Sequence, residues 1–124
     1  MYSGKILVAE DNPSNQKLIG ILLQKLGAQV DIAEDGFKAV EKCQQDTFDL
    51  ILMDMQMPNM NGYDATRELR KQGIQTPVIA VTANAMLGDE KKCIEAGCNG
   101  YISKPIDRAK LNEIVAQYLG AQVA

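Results

Sequence analysis

Histidine is absent from the 124-residue sequence, so the chain lacks the side chain that most often serves as a general base and as a metal ligand. Any such chemistry must come from other side chains. The chain also lacks a strong excess of one charge, because its formal net charge is −3 and its acidic and basic residues are interspersed. Without a basic stripe to meet phosphates, direct binding of nucleic acid is disfavoured.

Long apolar tracts are missing as well. No stretch is apolar enough to cross a bilayer, and the N-terminus has neither the basic start nor the apolar run of a signal peptide. Cysteine is limited to Cys43, Cys93 and Cys98, an odd number without a Cys-x-x-Cys pair. We therefore expect a single domain over residues 1–124 that keeps its thiols reduced in the cytoplasm. A redox role for Cys93 or Cys98 is the less favoured alternative.

What the sequence does contain is an alternation of short apolar runs with amphipathic segments. The five runs lie at residues 6–9, 30–33, 50–53, 78–81 and 101–103. The first, third and fourth are continuously apolar, which is typical of strands buried on both faces of a parallel sheet. Five strand–helix repeats predict right-handed crossovers and an α/β fold, a doubly wound five-stranded parallel sheet with helices on both faces.

Helical patterns fill the segments between these runs. Leu18, Leu22 and Leu26 recur at four-residue spacing before Gly27, which is placed to end that helix, and we interpret the three leucines as core residues. The second and third predicted helices span residues 37–45 and 62–72, and a fourth runs from Asp89 to near Gly97. The last predicted helix follows Asp107 and carries an apolar stripe made of Leu111, Ile114, Val115, Tyr118 and Leu119. Aspartates are the predicted N-caps of the last two helices, and the stripe is a core-facing pattern.

Residues that follow the strands of a parallel sheet meet at its carboxyl edge, where ligands bind in such folds. Glu10 and Asp11 follow the first strand, and Asp54 follows the third. Thr82 follows the fourth strand and Lys104 the fifth. Three carboxylates, a hydroxyl and an ammonium are therefore predicted to converge on one edge, although they are scattered in sequence.

Three acids in one crevice repel one another unless a cation joins them. Mg²⁺ suits this site, because it usually takes one or two carboxylates, keeps several waters and leaves room for a phosphate oxygen. Asp11 and Asp54 can serve as direct ligands, with Glu10 nearby or acting through water. The backbone carbonyl of Gln56 is the predicted further ligand.

The same edge suits phosphoryl transfer. With no histidine present and no cysteine at the predicted edge, an aspartate can attack phosphorus to form an acyl phosphate. Such a reaction asks mainly for positioning and charge neutralisation. The metal and Lys104 would neutralise the phosphoryl oxygens, and Thr82 would donate a hydroxyl hydrogen bond to one of them.

Four segments resemble the motifs of one family. Residues 8–12 (Val-Ala-Glu-Asp-Asn) match its acidic start, and residues 52–62, which begin Leu-Met-Asp, match its phosphoacceptor segment. Residues 81–85 match its switch threonine and residues 101–105 its lysine–proline ending. In this order, and over essentially the whole chain, they are similar to the receiver domain of two-component signalling. The resemblance implies a flavodoxin-like (βα)5 fold with strand order 2-1-3-4-5.

The receiver resemblance also implies a role for each site residue. Asp54 would be the phosphorylated residue, and Glu10 and Asp11 would bind Mg²⁺ together with it. Thr82 and Lys104 would share the catalytic work with Asp54 by holding the phosphoryl group. The chain would then be a phospho-switch that assists its own phosphorylation and dephosphorylation, not an enzyme with a separate substrate.

Switching is implied for two residues. Tyr101 would turn inward when Thr82 moves toward the phosphate, and the peptide bond before Pro105 is expected to be cis. Two simpler readings stay open at this point. Thr82 can be a helix cap, and Tyr101 can be an ordinary aromatic residue at the strand edge.

The particular amino acids found in these motifs also indicate a subgroup of the family. Segments 11–16, 55–58 and 82–86 are more similar to receivers attached to hybrid sensor histidine kinases than to receivers of DNA-binding regulators. The implied partner is a histidine kinase or a histidine-phosphotransfer protein, docking over the carboxyl edge beside the first helix, where Leu18 lies. Residues 86–87 are a candidate partner face.

Three other functions deserve comparison. An aspartate-nucleophile phosphatase of the haloacid dehalogenase kind needs a second aspartate at the position of Gln56, and no cap domain fits in the chain. A flavodoxin-like cofactor carrier would place a flavin phosphate against Glu10 and Asp11, which would repel it. A receiver used only for docking would have lost an acid or the lysine, and this chain has lost neither.

Overall fold

The computed structural model describes residues 4–83, 89–104 and 106–119. The strands are β1 (Lys5–Ala9), β2 (Gln29–Ala33), β3 (Leu50–Asp54), β4 (Val78–Thr82) and β5 (Gly100–Ser103), and the helices are α1 (Pro13–Lys25), α2 (Gly36–Gln45), α3 (Gly62–Lys71), α4 (Asp89–Ala96) and α5 (Arg108–Leu119). Neighbouring strands are parallel in the order β2-β1-β3-β4-β5, which confirms the predicted fold class and strand order. None of the helices in these residues is long and apolar enough to cross a membrane.

The strands run slightly further than the apolar runs that predicted them. Asp54 and Thr82 are the last residues of β3 and β4 instead of the first residues after them. Hydrogen bonding explains the difference, because the N–H of Met55 donates to the carbonyl of Val81 at 3.0 Å and the N–H of Lys104 donates to that of Thr82 at 2.8 Å. Strand pairing therefore holds both side chains on the rigid part of the sheet.

Two hydrophobic layers cover the two faces of the sheet. One layer packs α2, α3 and α4 against side chains such as Leu7 and Ile51, and the other packs α1 and α5 against side chains such as Val8 and Leu52. All five residues of β3 and all five of β4 are buried. Burial on both faces is the physical reason for the apolar runs at residues 50–53 and 78–81, which precede the polar last residue of each strand.

The first helix differs from its prediction. Leu18 is 53% exposed, whereas Ile19 and Leu23 are 3% and 0% exposed, so the interpretation of Leu18 as a core residue is wrong. Leu22 and Leu26 are partly buried. An α-helix turns about 100° per residue, so each four-residue step rotates the side chain by about 40° beyond a full turn. The core-facing stripe runs through Ile19 and Leu23, and Leu18 falls outside it.

Polar side chains cap the starts of α1, α2, α3 and α5 in the described residues. Asp107 caps α5, with the N–H of Ala109 donating to its Oδ1 at 2.8 Å, and this confirms one predicted cap. Gly27 ends α1 with a φ of 99°, a conformation that glycine adopts readily. The caps of the first three helices are Asn12, Asp35 and Asn61, which the sequence analysis did not assign.

Three predictions involve residues that the structure does not describe or, for Asp89, a side chain that it does not describe. They are the capping contact of Asp89, the cis bond before Pro105 and the partner face at residues 86–87.

Arg70 ties the end of α3 to the connection between α4 and β5. Its guanidinium donates hydrogen bonds to the carbonyls of Ile74 (2.8 Å), Thr76 (2.8 Å) and Gly97 (3.0 Å) and to Oδ1 of Asn99 (2.9 Å). Burial lowers the pKa of Arg70, but an arginine remains charged at any working pH. Its planar fork of donors lets one side chain bind four acceptors and hold two connections together, the one between α3 and β4 and the one between α4 and β5.

The three cysteines are free thiols. Cys93 and Cys98 are buried and Cys43 is partly buried. Burial raises the pKa of Cys43 and of Cys98 to about 11, so both thiols are protonated at neutral pH and are weak nucleophiles. This disfavours the redox alternative for Cys98.

Candidate functional site

The residues predicted from the strand ends lie together at the carboxyl edge of the sheet. Glu10 and Asp11 follow β1, Asp54 and Thr82 end β3 and β4, and Lys104 follows β5. The strand register sets them at one level: Ala9 pairs with Met53, Asp54 with Val81 and Thr82 with Ser103. Because the register is fixed by buried strands, the site is built on rigid elements.

Three carboxylates form the acidic part of the site. Oxygen atoms of Glu10, Asp11 and Asp54 all lie within 4.8 Å of one another. Glu10 and Asp54 are 1% and 3% exposed, while Asp11 faces solvent. Desolvation and the neighbouring Glu10 raise the pKa of Asp11, which shows that its charged form is disfavoured where it stands. Clustered oxygen donors of this kind fit a hard divalent cation such as Mg²⁺.

Lys104 is the positive partner of this cluster. Its Nζ lies 2.9 Å from Oδ2 of Asp54 and 3.4 Å from Oε1 of Glu10. Burial by itself lowers the pKa of Lys104, but the hydrogen bond to Asp54 and the charges of Asp54 and Glu10 outweigh it, so the pKa is raised. Lys104 is therefore a permanently charged ammonium that touches the candidate nucleophile.

The other oxygen of Asp54 is held by the chain that follows it. The N–H of Gln56 donates to Oδ1 of Asp54 at 3.0 Å. The start of α3 approaches Asp54 closely, since a Cβ at Gly62 would lie 2.3 Å from the carbonyl oxygen of Asp54. Both carboxylate oxygens thus have a fixed donor. The predicted metal contact from the Gln56 carbonyl stays a prediction.

Glu10 is held by the start of α1, a set of contacts that the sequence analysis missed. Its carboxylate accepts from the N–H of Asn12 at 3.1 Å and from the side-chain amide of Asn15 at 3.2 Å. The side chain of Gln16 donates to the Glu10 carbonyl at 2.6 Å. The signal was present as amide residues directly after the acid pair, but amides at a helix start are also ordinary caps.

Thr82 and Tyr101 occupy the positions predicted for a switch. Thr82 is 5% exposed at the end of β4. Tyr101 is 39% exposed, and its hydroxyl donates to Oε2 of Glu90 on α4 at 3.4 Å. The side chain of Tyr101 is therefore on the outer surface and in contact with α4, and its inward movement stays a prediction.

Comparison with known proteins places this site in a family. The sequence profile of the response regulator receiver domain matches residues 6–116. The chain belongs to the response regulator receiver domain family. The match runs from β1 into α5, so the receiver profile reaches all five strands and every segment that contributes to the site.

Several individual receivers are similar to this one. The BarA signal transduction histidine-protein kinase of Escherichia coli K12 is 44% identical over 115 residues, which are 91% of this chain and 12% of that protein. The receiver domain of a Pseudomonas aeruginosa sensor histidine kinase, solved with a magnesium ion in its active-site cleft, is 43% identical with a TM-score of 0.87, covering 96% of this chain and 99% of that one. The receiver domain of Saccharomyces cerevisiae Ssk1, crystallised with the histidine phosphotransfer protein Ypd1, is 27% identical with a TM-score of 0.91, covering 95% of this chain and 90% of that one.

This receiver also has a cavity beside the acidic cluster. Its volume is about 370 Å³ and its walls are Glu10, Asn15, Leu18, Ile19, Ala83, Lys104 and Ile106. Its walls therefore combine charged side chains with apolar ones. The exposed side chain of Leu18 on α1 is one of the apolar walls.

Proposed function

We propose that this receiver accepts a phosphoryl group from a phosphohistidine onto Asp54, with Mg²⁺ bound beside it. The observation that carries the proposal is the contact of Lys104 with Asp54 at 2.9 Å, within a cluster whose other carboxylates belong to Glu10 and Asp11. A buried carboxylate with a fixed ammonium on one side and an acidic cation site on the other suits phosphoryl transfer.

The transfer is a displacement at phosphorus. A carboxylate oxygen of Asp54 attacks the phosphorus atom and forms the new O–P bond of an acyl phosphate. The P–N bond to the donor histidine breaks, its electron pair stays on the imidazole nitrogen, and that nitrogen takes up a proton from solvent. Lys104 moves from its carboxylate partners onto a phosphoryl oxygen, and the hydroxyl of Thr82 donates to another.

Glu10, Asp11 and Asp54, with the carbonyl of Gln56, would hold the metal. When bound, Mg²⁺ neutralises the charge on the phosphoryl oxygens. Asp11, whose pKa is raised by desolvation and by Glu10, gains a favourable partner in the cation. Lys104 alone offsets only one of the three carboxylate charges, so the protein side of the site is left with a net negative charge that favours cation binding.

Switching follows as a population shift. Phosphorylation of Asp54 favours a state in which Thr82 has moved toward the phosphate and Tyr101 has turned inward, and the shift is as large as the differential stabilisation of that state. The exposed position of Tyr101 against Glu90 supports its role, because a change there alters the surface formed by α4, β5 and α5.

The chain spans about 12% of the length of the curated relatives it matches first, so its protein context is part of the proposal. We place it as the receiver of a hybrid sensor histidine kinase that works in the cytoplasm and exchanges phosphoryl groups with a histidine kinase or a histidine-phosphotransfer protein. The Ssk1–Ypd1 complex supports such a partner by similarity. The 53% exposure of Leu18 supports docking beside α1.

The domain is proposed to act on itself and not as an enzyme on a separate substrate. A phosphatase of the haloacid dehalogenase kind needs an acid where Gln56 stands. The backbone of Gln56 instead donates to Asp54, and its side chain is exposed. Dephosphorylation would then use solvent water at the same site.

Labelling by a small phosphodonor tests the proposal. Incubation with acetyl phosphate and Mg²⁺ is expected to add one phosphoryl group, read by intact mass, to the wild type and to an Asp64→Asn control but not to Asp54→Asn. Asp64 is a suitable control because its carboxylate is exposed and paired with Arg67 on α3. Beryllofluoride with Mg²⁺ should shift the amide resonances of Thr82 and Tyr101 in the wild type and in Asp64→Asn but not in Asp54→Asn. Labelling of Asp54→Asn at the wild-type level would refute the assignment.

A further inference from the structure

The segment that follows Asp54 leaves the sheet and reaches α3 through residues 55–61, here called the phosphoacceptor loop. The loop closes on itself, since the N–H of Gly62 donates to the carbonyl of Met55 at 3.2 Å. Gly62 in turn packs so closely on Asp54 that a Cβ would lie 2.3 Å from the Asp54 carbonyl oxygen. The shape of this loop is therefore coupled directly to the position of Asp54.

Asn59 has the most unusual backbone in the loop. Its φ is 68°, and among the non-glycine residues that the structure describes it alone has a positive φ. Asparagine tolerates this left-handed conformation better than most residues, but the surroundings must still hold it there. The holding contact is a hydrogen bond from its side-chain amide to Oδ2 of Asp35 at 3.0 Å, across 24 residues of sequence.

Asp35 is a firm anchor for that bond. It is 9% exposed, and its other oxygen caps α2 by accepting from the N–H of Lys38 at 2.8 Å. The Lys38 and Asn59 hydrogen bonds lower the pKa of Asp35, as expected for a carboxylate whose charged form is held by donors. Both oxygens therefore have defined partners in two different segments.

A backbone contact reinforces the same junction. The N–H of Gly36 donates to the carbonyl of Met60 at 3.0 Å, and a Cβ at Gly36 would lie 2.3 Å from that carbonyl oxygen. Only a glycine permits so close an approach without a shift of the backbone. The start of α2 and the phosphoacceptor loop are thus joined side by side through two adjacent pairs of residues.

We propose that the hydrogen bond between Asp35 and Asn59 is a latch that holds the phosphoacceptor loop in the shape required at Asp54. Asn59 is a positioning residue: it is not among the residues proposed to hold the phosphoryl group or the cation, and it acts through Gln56, whose N–H donates to Asp54 in the same loop. The effect on Mg²⁺ binding rests on the proposed function, whereas the effect on the Gln56 contact does not.

Two variants break the latch from opposite sides. Asn59→Gly removes the amide but keeps a residue that adopts positive φ readily. Asp35→Ser keeps a good N-cap for α2 but is too short to reach Asn59, and it leaves the loop sequence unchanged. In Mg²⁺-free protein, both variants are expected to increase amide hydrogen exchange at Gln56. Both variants should also bind Mg²⁺ about tenfold more weakly, as measured by calorimetry. This is the lower end of the loss in affinity that follows removal of a residue orienting metal ligands.

A control and a rescue separate positioning from general loss of stability. Asp49→Ala removes a carboxylate that accepts from the N–H of Lys5 at 2.8 Å, at the amino edge of the sheet. It should lower the melting temperature without changing Gln56 exchange or Mg²⁺ affinity. The double variant Asp35→Asn/Asn59→Asp exchanges donor and acceptor at constant net charge, so it should recover both readouts.

The outcomes distinguish the latch from the function on which it partly depends. Wild-type exchange at Gln56 in both single variants would overturn the latch, as would equal losses in Asp49→Ala. A wild type that binds no Mg²⁺ and takes no label would overturn the proposed function, and the exchange measured without metal would still decide the latch.

Discussion

Replacement of Asp11 by asparagine should stabilise the metal-free protein, although Asp11 is a candidate metal ligand. Carboxylate oxygens of Glu10, Asp11 and Asp54 lie within 4.8 Å of one another. Two unit charges at that separation repel by about 1 kcal/mol in water and about 3 kcal/mol at an effective dielectric constant near 20. Asp11 faces solvent, so its interactions lie near the aqueous limit. Attraction to Lys104 offsets about one of the two repulsions, which leaves about 1 kcal/mol of net repulsion for the variant to relieve.

The assay is thermal unfolding with and without Mg²⁺. In a chelating buffer at neutral pH, Asp11→Asn should unfold about 4 °C above the wild type, and the difference should shrink in about 1 M NaCl. A Mg²⁺ concentration a hundred times the wild-type Kd adds about 2.7 kcal/mol to the wild type. A variant that binds about a hundredfold more weakly gains only about 0.4 kcal/mol. The order of stability should therefore invert when Mg²⁺ is added.

The pH dependence gives the same prediction an independent check. The pKa of Asp11 is raised in the folded state, so its charged form costs stability. Below the unfolded pKa of about 4 the carboxyl is protonated in both states and the penalty is absent. It develops as the pH rises through the folded pKa of Asp11, and the advantage of Asp11→Asn should appear over the same interval. The reasoning would be refuted if metal-free Asp11→Asn were less stable than the wild type, or if the order of stability of the two proteins did not change in Mg²⁺. Glu113→Gln on α5 is the matched control for loss of an exposed carboxylate.

Two further predictions concern the packing around the site. Leu23→Ala should lower the free energy of unfolding by about 2–5 kcal/mol because Leu23 is fully buried, whereas Leu18→Ala on the same helix should change it by less than about 0.5 kcal/mol. Urea denaturation measures both values, and a large loss of stability in Leu18→Ala would contradict its exposed position. Arg70→Lys keeps the charge but loses the fork that binds four oxygens, so it should cost about 2–3 kcal/mol, while the control Arg67→Lys, in an exposed ion pair, should cost less than about 0.5 kcal/mol. Equal losses of stability in the two arginine variants would contradict the role of Arg70 in holding these two connections together.

The sheet could be predicted because local and global signals agree in it. Strands that are buried on both faces must be apolar throughout, and this requirement shows directly in residues 50–53 and 78–81. The convergence of the charged side chains followed from the same fact, because parallel strands bring their carboxyl ends to one edge. Asp54 and Lys104 could thus be expected to meet, although 50 residues separate them.

Contacts between loops could not be predicted in this way. The bond between Asp35 and Asn59 joins two segments whose amino acids are each ordinary turn residues, and only the packed fold shows that they meet. Arg70 likewise looks like a surface arginine at the end of a helix until its four acceptors are seen. Leu18 was placed wrongly because four-residue spacing only approximates the helical repeat: two steps spread Leu18, Leu22 and Leu26 over about 80° of the helix surface, so they do not all face the core.

The strand order has a consequence for how the domain comes together during synthesis. The three carboxylates of the cluster have all been made by residue 54, but the ammonium that balances them follows 50 residues later, after the edge strand β5. A chain that ends before β5 contains the three carboxylates but lacks the Lys104 ammonium that pairs with two of them. Docking of the last strand therefore delivers charge compensation to the centre of the sheet along with its hydrophobic contacts. The charge balance of the site thus links the segment after the last strand to the acidic residues made before it, and it favours folding of the whole in one cooperative step.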